Sequence, residues 1–221
     1  MSKPVVLFGT GDIAELAWFC LTQDAHRQVV GFTLDKAYVD KSEFRGLPVV
    51  PFEDVQERFP PEEHEMLIAV GMADVNRLRA RKCSEAVEKG YSLTSYISSR
   101  AMTFPDFSCG PNCFIGSGNT IQPFARLGAN VMLVANTYIG HHVVIEDDCL
   151  LGAGAVVAGQ SSVGRGTFIG ANATIRDHVR IGRHCIVGAG CLLLNDAPDF
   201  SVFRGPAAEP AAMSSRDLRR L

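Results

Sequence analysis

Residues 115–150 read IGSGNT IQPFAR LGANVM LVANTY IGHHVV IEDDCL when they are divided into sixes. The same register continues without a slip from Cys109 to Leu192, which gives fourteen consecutive hexads. After the first hexad, every hexad begins with Ile, Leu or Val, and its second residue is Gly in eight of the thirteen. The fifth residue is mostly small. This repeat predicts a parallel β-solenoid in which each hexad forms one short strand and one corner.

Each position of the hexad has a predicted direction. The first residue points into the core, the fifth is small because the interior is narrow there, and Gly at the second position eases the turn. Three hexads close one triangular coil, so equivalent residues recur every 18 positions. They then stack at the strand spacing of about 4.8 Å.

Four cysteines fit the same repeat. Cys113, Cys149 and Cys185 are 36 residues apart, and Cys191 follows six residues later, so all four occupy the small fifth position. Residues two coils apart are separated by roughly 10 Å, which exceeds the reach of a disulfide. We therefore expect reduced cysteines that fill the core, as in a cytoplasmic protein.

Residues 1–100 follow a different pattern. Three short apolar runs predict strands, at 5–9, 29–35 and 66–71. Residues 12–23 carry apolar side chains at helical spacing, and residues 73–90 predict a second helix that stops at Gly90. The order strand–helix–strand predicts a small parallel sheet.

The first strand leads into a glycine-rich turn, FGTGDIAE. Gly9, Gly11 and Ala14 fit the G-x-G-x-x-G/A fingerprint of a Rossmann-like nucleotide-binding turn, and the helix N-terminus that follows favours an anion. About 100 residues supply only half of a dinucleotide-binding fold, so a single nucleotide or nucleotide diphosphate fits better than NAD. The candidate contacts are Gly9, Thr10, Gly11, Asp12, Ile13, Asp35, Gly71 and Asn76. An ordinary tight turn without a ligand is the alternative.

Composition excludes several classes of protein. The net charge of −3 supplies no basic surface for nucleic acid. No apolar run approaches the roughly 20 residues of a membrane span, and too few residues precede the first predicted strand for a signal peptide. We expect a cytoplasmic protein that binds neither nucleic acid nor membrane.

The combination of a GxGxxA domain with a hexapeptide solenoid resembles a known family. It is similar to the bacterial nucleotide-sugar acetyltransferases that modify 4-amino sugars for glycans and O-antigen, and to the sialic-acid-pathway O-acetyltransferases. The lead-in YISSRA to the repeat, and FIGANATI and IGRHCIVGAG within it, also match, and the resemblance covers roughly residues 3–210. It implies a left-handed β-helix, acetyl-CoA as co-substrate, a nucleotide-linked amino sugar as substrate, and a homotrimer with active sites between subunits.

The resemblance also assigns a catalytic base. In that family a histidine in an N-T-…-I-x-H stretch removes the proton, and the matching histidine of ANTYIGHHVV is His141. The family usually has Asp or Glu next, whereas this sequence has His142. The sequence therefore leaves open which group orients His141. It also leaves open which of His141 and His142 is the base. Imidazole, with a pKa near 6.5, suits proton removal from an amine that attacks a thioester.

Acetyl-CoA contacts are predicted on two coils with small outward residues, LGAGAV and IGANAT. Ala153 and Ala171 are equivalent one coil apart and, with Gly154, would form a flat wall for the pantetheine chain. Arg180 is a candidate for the CoA phosphates. Plain tight turns are the alternative for the small residues.

Three other readings remain. A γ-type carbonic anhydrase uses the same solenoid, and His142 and His178 are 36 residues apart on one face, but a third histidine at the usual spacing is missing. We therefore expect no metal. A non-catalytic nucleotide-sugar-binding protein could share every feature except the base. An NAD oxidoreductase lacks its second half-fold.

We divide the chain into a Rossmann-like α/β half domain (1–100), a left-handed β-helix (101–198) and a C-terminal tail (199–221). The predicted function is acetyl-CoA-dependent N-acetylation of a nucleotide-linked 4-amino-4,6-dideoxy sugar in O-antigen or lipopolysaccharide biosynthesis. Sugar O-acetyl transfer is the alternative.

Overall fold

The computed structural model describes residues 2–105 and 107–209. They form an N-terminal α/β unit followed by a three-sided solenoid whose first strand begins at Tyr96. Residues 210–221 of the predicted tail lie outside the described range.

The N-terminal unit is a sheet flanked by helices. Its elements are β1 Val5–Phe8, α1 Asp12–Gln23, β2 Val29–Leu34, β3 Glu43–Phe44, β4 Leu47–Pro51, α2 Val55–Arg58, β5 Glu65–Ile68, α3 Arg77–Glu88 and β6 Ser92–Leu93. The strand order is β3-β4-β2-β1-β5-β6, and the neighbours are parallel except for the β3–β4 pair. The predicted strands, the first helix and the parallel sheet are confirmed. The β3–β4 hairpin at the sheet edge was not predicted.

Helix α3 begins later than the sequence predicts. Asp74, Val75 and Asn76 have φ values of 50°, 49° and 64°, which an α-helix does not accommodate. The helix therefore starts at Arg77 rather than near residue 73. It ends one residue before Lys89, and Gly90, at φ 90°, forms the predicted stop.

The solenoid consists of two-residue strands separated by corners. They are β7 Tyr96–Ile97, β8 Phe114–Ile115, β9 Thr120–Ile121, β10 Arg126–Leu127, β11 Met132–Leu133, β12 Tyr138–Ile139, β13 Val144–Ile145, β14 Leu150–Leu151, β15 Val156–Val157, β16 Ser162–Val163, β17 Phe168–Ile169, β18 Thr174–Ile175, β19 Arg180–Ile181, β20 Ile186–Val187, β21 Leu192–Leu193 and β22 Val202–Phe203. Pairing is parallel and links residues 18 apart from β7 to β21, as Arg126 with Val144, so the predicted coil length is confirmed. The last pair, Ile186 with Val202, joins residues 16 apart.

Three faces result, which we number in chain order. Face I contains β7, β8, β11, β14, β17, β20 and β22; face II contains β9, β12, β15, β18 and β21; face III contains β10, β13, β16 and β19. The chain turns from face II to face III at residues 140–143 and from face I to face II at residues 152–155. Residues 146–149 form the remaining corner, between faces III and I.

The solenoid core follows the predicted hexad rule. The first residue of every hexad from Ile115 to Val187 is buried, and Cys113, Cys149, Cys185 and Cys191 are buried and unpaired. The fourth residue of each hexad from Asn112 to Gly190 has a positive φ. That row is therefore restricted mainly to residues that tolerate a left-handed backbone, such as Gly, Asn, Asp and His.

The N-terminal unit packs on face I. Phe114, Met132 and Leu150 point outward from this face, yet each is at most 6% exposed, because they join the core beneath α1 and β1. The two units therefore share one apolar interface. Among the described residues, no helix is long and apolar enough to cross a membrane.

Candidate active site

The two histidines of the sequence pattern lie together at the face II/III corner. Nδ1 of His141 is 3.2 Å from Nδ1 of His142, and the rings meet nearly edge to face at an interplanar angle of 85°. Both side chains are exposed. The corner thus presents a hydrogen-bonded imidazole pair to the outside of the solenoid.

The adjacent coils shape this pair. On one side the ring of Phe124 packs against His142 with centroids 4.7 Å apart. On the other side Gly159 lies beneath His141, and a Cβ there would stand 2.8 Å from both Nε2 and Cε1 of the imidazole. Because Gly159 has no side chain, the space next to Nε2 of His141 stays open.

A second site lies in the N-terminal unit at the carboxyl ends of β1, β2 and β5. A cleft of about 580 Å³ is lined by the predicted residues Gly9, Thr10, Gly11, Asp12, Ile13 and Gly71. Tyr38 and Asp40, which the sequence did not single out, also line it. Its size and its position at the strand ends fit a small-molecule site.

The two glycines of the turn have different roles. Gly9 has φ 122°, and a Cβ there would stand 2.8 Å from the carbonyl oxygen of Ala69. The turn itself therefore requires Gly9. Gly11 is extended, and a Cβ there would meet no atom within 4 Å. Its missing side chain opens the cleft instead.

Asp35 follows β2 but forms an ion pair instead of lining the cleft. Its Oδ1 accepts a hydrogen bond of 2.5 Å from Nζ of Lys82, which also contacts Glu85. Burial opposes the charge of Lys82, but the two carboxylates outweigh it and raise its pKa. The charge of the Asp35 carboxylate is thus already balanced by the ammonium group of Lys82 on α3.

Asn76 does not join the other predicted nucleotide contacts. Its side chain is fully buried, its Nδ2 lies 3.4 Å from the carbonyl oxygens of Gly166 and Thr167, and its Oδ1 accepts from Arg79. The left-handed residues before α3 turn this side chain toward the solenoid. Asn76 therefore connects the two units and does not face the cleft.

Arg79 is the centre of this connection. It is 1% exposed, and its guanidinium donates to Oδ1 of Asn130 at 2.9 Å and to the carbonyl oxygens of Asn130 and Cys149 at 3.2 Å. Burial lowers the pKa of Arg79, although a guanidinium stays protonated in proteins. The charge is balanced by oxygen dipoles of the solenoid corner and by nearby Asp148.

The predicted acetyl-CoA residues occupy two different places. Ala153, Gly154 and Ala171 stack on the face I/II corner, where the backbone N–H of Asn172 donates to the carbonyl of Ala153. Arg180 is exposed on face III, which lies opposite that corner. One chain alone therefore does not bring Arg180 to the small residues.

The cleft and the histidine pair are also separated within one chain. The N-terminal unit covers face I, whereas His141 lies at the corner between faces II and III, on the opposite side of the solenoid. Among residues 2–105 and 107–209, no group of three His, Cys, Asp or Glu side chains is arranged to hold a metal ion. His178, the partner in the zinc alternative, lies two coils from His142.

Sequence reasoning missed Phe124, Gly159 and Arg79. A signal existed for the first two, because each is one coil away from the histidine pair in the hexad register. Arg79 carried no such signal, since it resembles the other basic residues of α3 and its burial depends on docking of the two units.

Comparison with known proteins agrees with this architecture. Residues 125–159 and 160–195 match the family "Bacterial transferase hexapeptide (six repeats)". A search of curated proteins found no significant match.

Several solved structures share the whole fold. A histidine-to-asparagine variant of perosamine N-acetyltransferase from Caulobacter crescentus, in complex with CoA and GDP-perosamine, is 25% identical. The match covers 91% of this chain and 93% of that one, with a TM-score of 0.83. The acetyltransferase domain of PglB from Neisseria gonorrhoeae, in complex with acetyl coenzyme A, is 20% identical over 96% of this chain and 100% of that one, with a TM-score of 0.83. WeeI from Acinetobacter baumannii AYE is 16% identical over 91% and 96% of the two chains, with a TM-score of 0.76.

Residues 125–195 carry the repeats of this transferase family, and the chain has the left-handed β-helix fold of these neighbours. The chain is an acetyltransferase, and the resemblance to the nucleotide-sugar acetyltransferases predicted from the sequence is confirmed.

Proposed function

We propose that this protein transfers acetyl from acetyl-CoA to the amino group of a nucleotide-linked 4-amino-4,6-dideoxy sugar. The observation that carries the proposal is the pairing of a nucleotide-sized cleft at the GxGxxA turn with an outward imidazole pair on a hexapeptide solenoid. The C. crescentus neighbour, named for N-acetyl transfer and solved with CoA and GDP-perosamine, supports the substrate class. We further propose that the enzyme acts in the cytoplasm, in O-antigen or lipopolysaccharide biosynthesis, as the resemblance implies.

His141 is the proposed general base. The neutral sugar amine attacks the thioester carbonyl carbon, a C–N bond forms, and the C–S bond breaks. Nε2 of His141 takes the proton from the amine nitrogen and passes it to the departing sulfur, which leaves as the CoA thiol. Proton transfer by a positioned imidazole, together with the proximity of the reactants, supplies the acceleration without a metal or an acyl-enzyme.

The complete site requires two subunits. Because the N-terminal unit covers face I and His141 lies at the opposite corner, a sugar held in one cleft meets the base of a neighbour more readily than its own. The outward row of face II, Thr120, Tyr138, Val156, Thr174 and Leu192, carries no charge and suits subunit packing. We therefore propose a homotrimer with acetyl-CoA between subunits, where Ala153, Gly154 and Ala171 of one chain and Arg180 of another contact it.

The first experiment measures CoA thiol release from acetyl-CoA with a panel of nucleotide-linked 4-amino sugars and their hydroxyl counterparts. We expect turnover with at least one amino sugar. Turnover only with hydroxyl acceptors would replace N-transfer by O-transfer. Binding of nucleotide sugars without turnover on any acceptor would show a non-catalytic binding protein.

Replacement of Gly11 by leucine tests the cleft. The position is extended and open, so Gly11→Leu should fold normally, while its side chain fills the space over the turn. We expect KM for the nucleotide sugar to rise about tenfold or more and KM for acetyl-CoA to stay constant, since a blocked phosphate contact costs at least about 1.4 kcal/mol. The control is Gln23→Leu, at the exposed far end of α1. If Gly11→Leu and Gln23→Leu have equal KM values for the nucleotide sugar, the nucleotide does not bind in this cleft.

Co-expression of two impaired chains, assayed at a nucleotide-sugar concentration well below the raised KM of Gly11→Leu, tests the shared site. Gly11→Leu leaves an intact base, and His141→Asn leaves an intact cleft. Mixed oligomers should therefore exceed the activity of either variant alone at those interfaces where the two intact parts meet. An enzyme whose site lies within one chain would show no recovery, although both variants assemble.

A further inference from the structure

The Nδ1 atoms of His141 and His142 lie 3.2 Å apart, and this contact constrains the tautomers of both rings. Resting on the proposed function, we infer that His142 is a positioning residue: it accepts the Nδ1 proton of His141 and thereby leaves Nε2 of His141 bare. His142 would thus replace a carboxylate as the partner of the base.

A contact between two Nδ1 atoms holds one proton. Two lone pairs facing each other repel, and so do two N–H groups, so the two neutral rings must have opposite tautomers. When His141 donates, its Nε2 has a free lone pair for the substrate proton. When Nε2 then becomes protonated, the Nδ1–H of His141 still points at the same acceptor. The hydrogen bond therefore persists through the reaction, whereas protonation of both rings destroys it.

The coil above holds His142 in place. Its backbone is left-handed at φ 58°, and its N–H donates to the carbonyl of Pro123 at 3.3 Å. Phe124, which is 63% exposed, packs its ring against the imidazole of His142. An aromatic ring offers no competing acceptor or N–H donor in its plane, so Nδ1 of His142 stays available to His141.

The coil below keeps the reactive edge open. Gly159 lies next to Nε2 and Cε1 of His141, and the carbonyl of His141 accepts from the N–H of Gln160 at 2.9 Å. The backbone of the base is thus fixed while space remains at Nε2.

Charged groups near the pair are few. The adjacent coils present Gln122, Pro123 and Phe124 above and Ala158, Gly159 and Gln160 below, none of which titrates. Arg126 follows on β10, and Asp177 and His178 lie on the second coil below. Within the described part of the chain, neither histidine forms a salt bridge to any of them. The partner that orients His141 is therefore His142.

Nitrogen NMR of the resting trimer, with ¹⁵N-labelled histidine, tests the tautomers without substrate. His141→Asn and His142→Asn assign the signals by their loss. At pH 8 we expect Nδ1 protonated in His141 and Nε2 protonated in His142. His178→Asn is the control and should leave these signals unchanged. The opposite tautomers, or the same tautomer in both rings, would overturn the inference.

Kinetics of three variants at His142 separate positioning from mere packing. Phe124 occupies the equivalent left-handed position one coil above, so the corner accommodates His142→Phe. We expect kcat to fall about tenfold in His142→Phe at unchanged KM, and His142→Asn to recover most of it through Oδ1. His142→Asp should likewise keep most of kcat, because a carboxylate oxygen accepts the same Nδ1 proton of His141. Equal losses in Phe and Asn variants would contradict positioning.

The kinetic and the NMR experiments test different statements. Absence of turnover with every acceptor would refute the proposed function, yet the tautomers measured in the resting protein would still decide the role of His142.

Discussion

His141→Asn is expected to lower kcat for acetyl transfer by about 10³-fold, because removal of a general base costs about 10²–10⁴ in rate. Asparagine keeps a polar side chain at the exposed corner but cannot take the proton of the amine. KM for both substrates should change little, since the nucleotide cleft lies elsewhere in the chain. Release of CoA thiol under saturating substrates measures the effect.

His178→Asn provides the matched control for this variant. His178 is an exposed histidine at the same corner, two coils away. Its replacement should leave kcat within about twofold, well below the loss of a general base. If His142→Asn instead abolishes turnover while His141→Asn keeps more than a tenth of kcat, the roles of the two histidines are reversed.

Arg79→Met should lower the free energy of unfolding by about 3 kcal/mol and the melting temperature by roughly 10 °C. Methionine fills a similar volume but removes the arginine donor from Oδ1 of Asn76 and from the carbonyl of Asn130. Oδ1 of Asn130 and the carbonyl of Cys149 lose one donor each and keep a second, from Asn112 and Met132. The loss of several buried hydrogen bonds to a charged group costs more than the loss of one surface contact. Urea unfolding followed by circular dichroism gives the free energy.

Arg81→Met separates burial from charge. Arg81 lies on the same helix, but its side chain is 62% exposed and its nearest carboxylate, from Glu85, is 3.5 Å away. Exposed pairs contribute less than about 1 kcal/mol, so this variant should resemble the wild type. Equal stabilities of the two variants would show that the connection between α3 and the solenoid contributes nothing to folding.

The solenoid was predictable because its information is local and repeated. Each hexad has the same environment, so Ile115 and Val187, the first residues of their hexads, are both buried although they lie four coils apart. Helix α1 was predictable from its apolar spacing. The start of α3 was not, since Asp74, Val75 and Asn76 adopt left-handed angles that residues other than glycine rarely take.

The site was only partly predictable for a similar reason. The turn residues of the cleft are adjacent in sequence, and the structure groups them. Asn76 and Asp35 were misplaced in the cleft because their partners, Arg79 and Lys82, come from the docked helix. The sequence does contain a signal for face I, on which the N-terminal unit packs. Apolar residues at the sixth hexad position recur there every 18 residues, in Phe114, Met132, Leu150 and Phe168.

The left-handed row at the face II/III corner has an evolutionary consequence. Its members Phe124, His142, Gln160 and His178 are all exposed, so backbone geometry, and not burial in the core, restricts the residue at position 142. Asn, Asp, Gly and His can therefore replace one another at this corner at small cost to folding. A single substitution at such a corner changes the hydrogen-bond partner of the neighbouring base while the interior stays intact. Substitutions at this corner can thus alter proton transfer in related proteins without altering the stability of the solenoid.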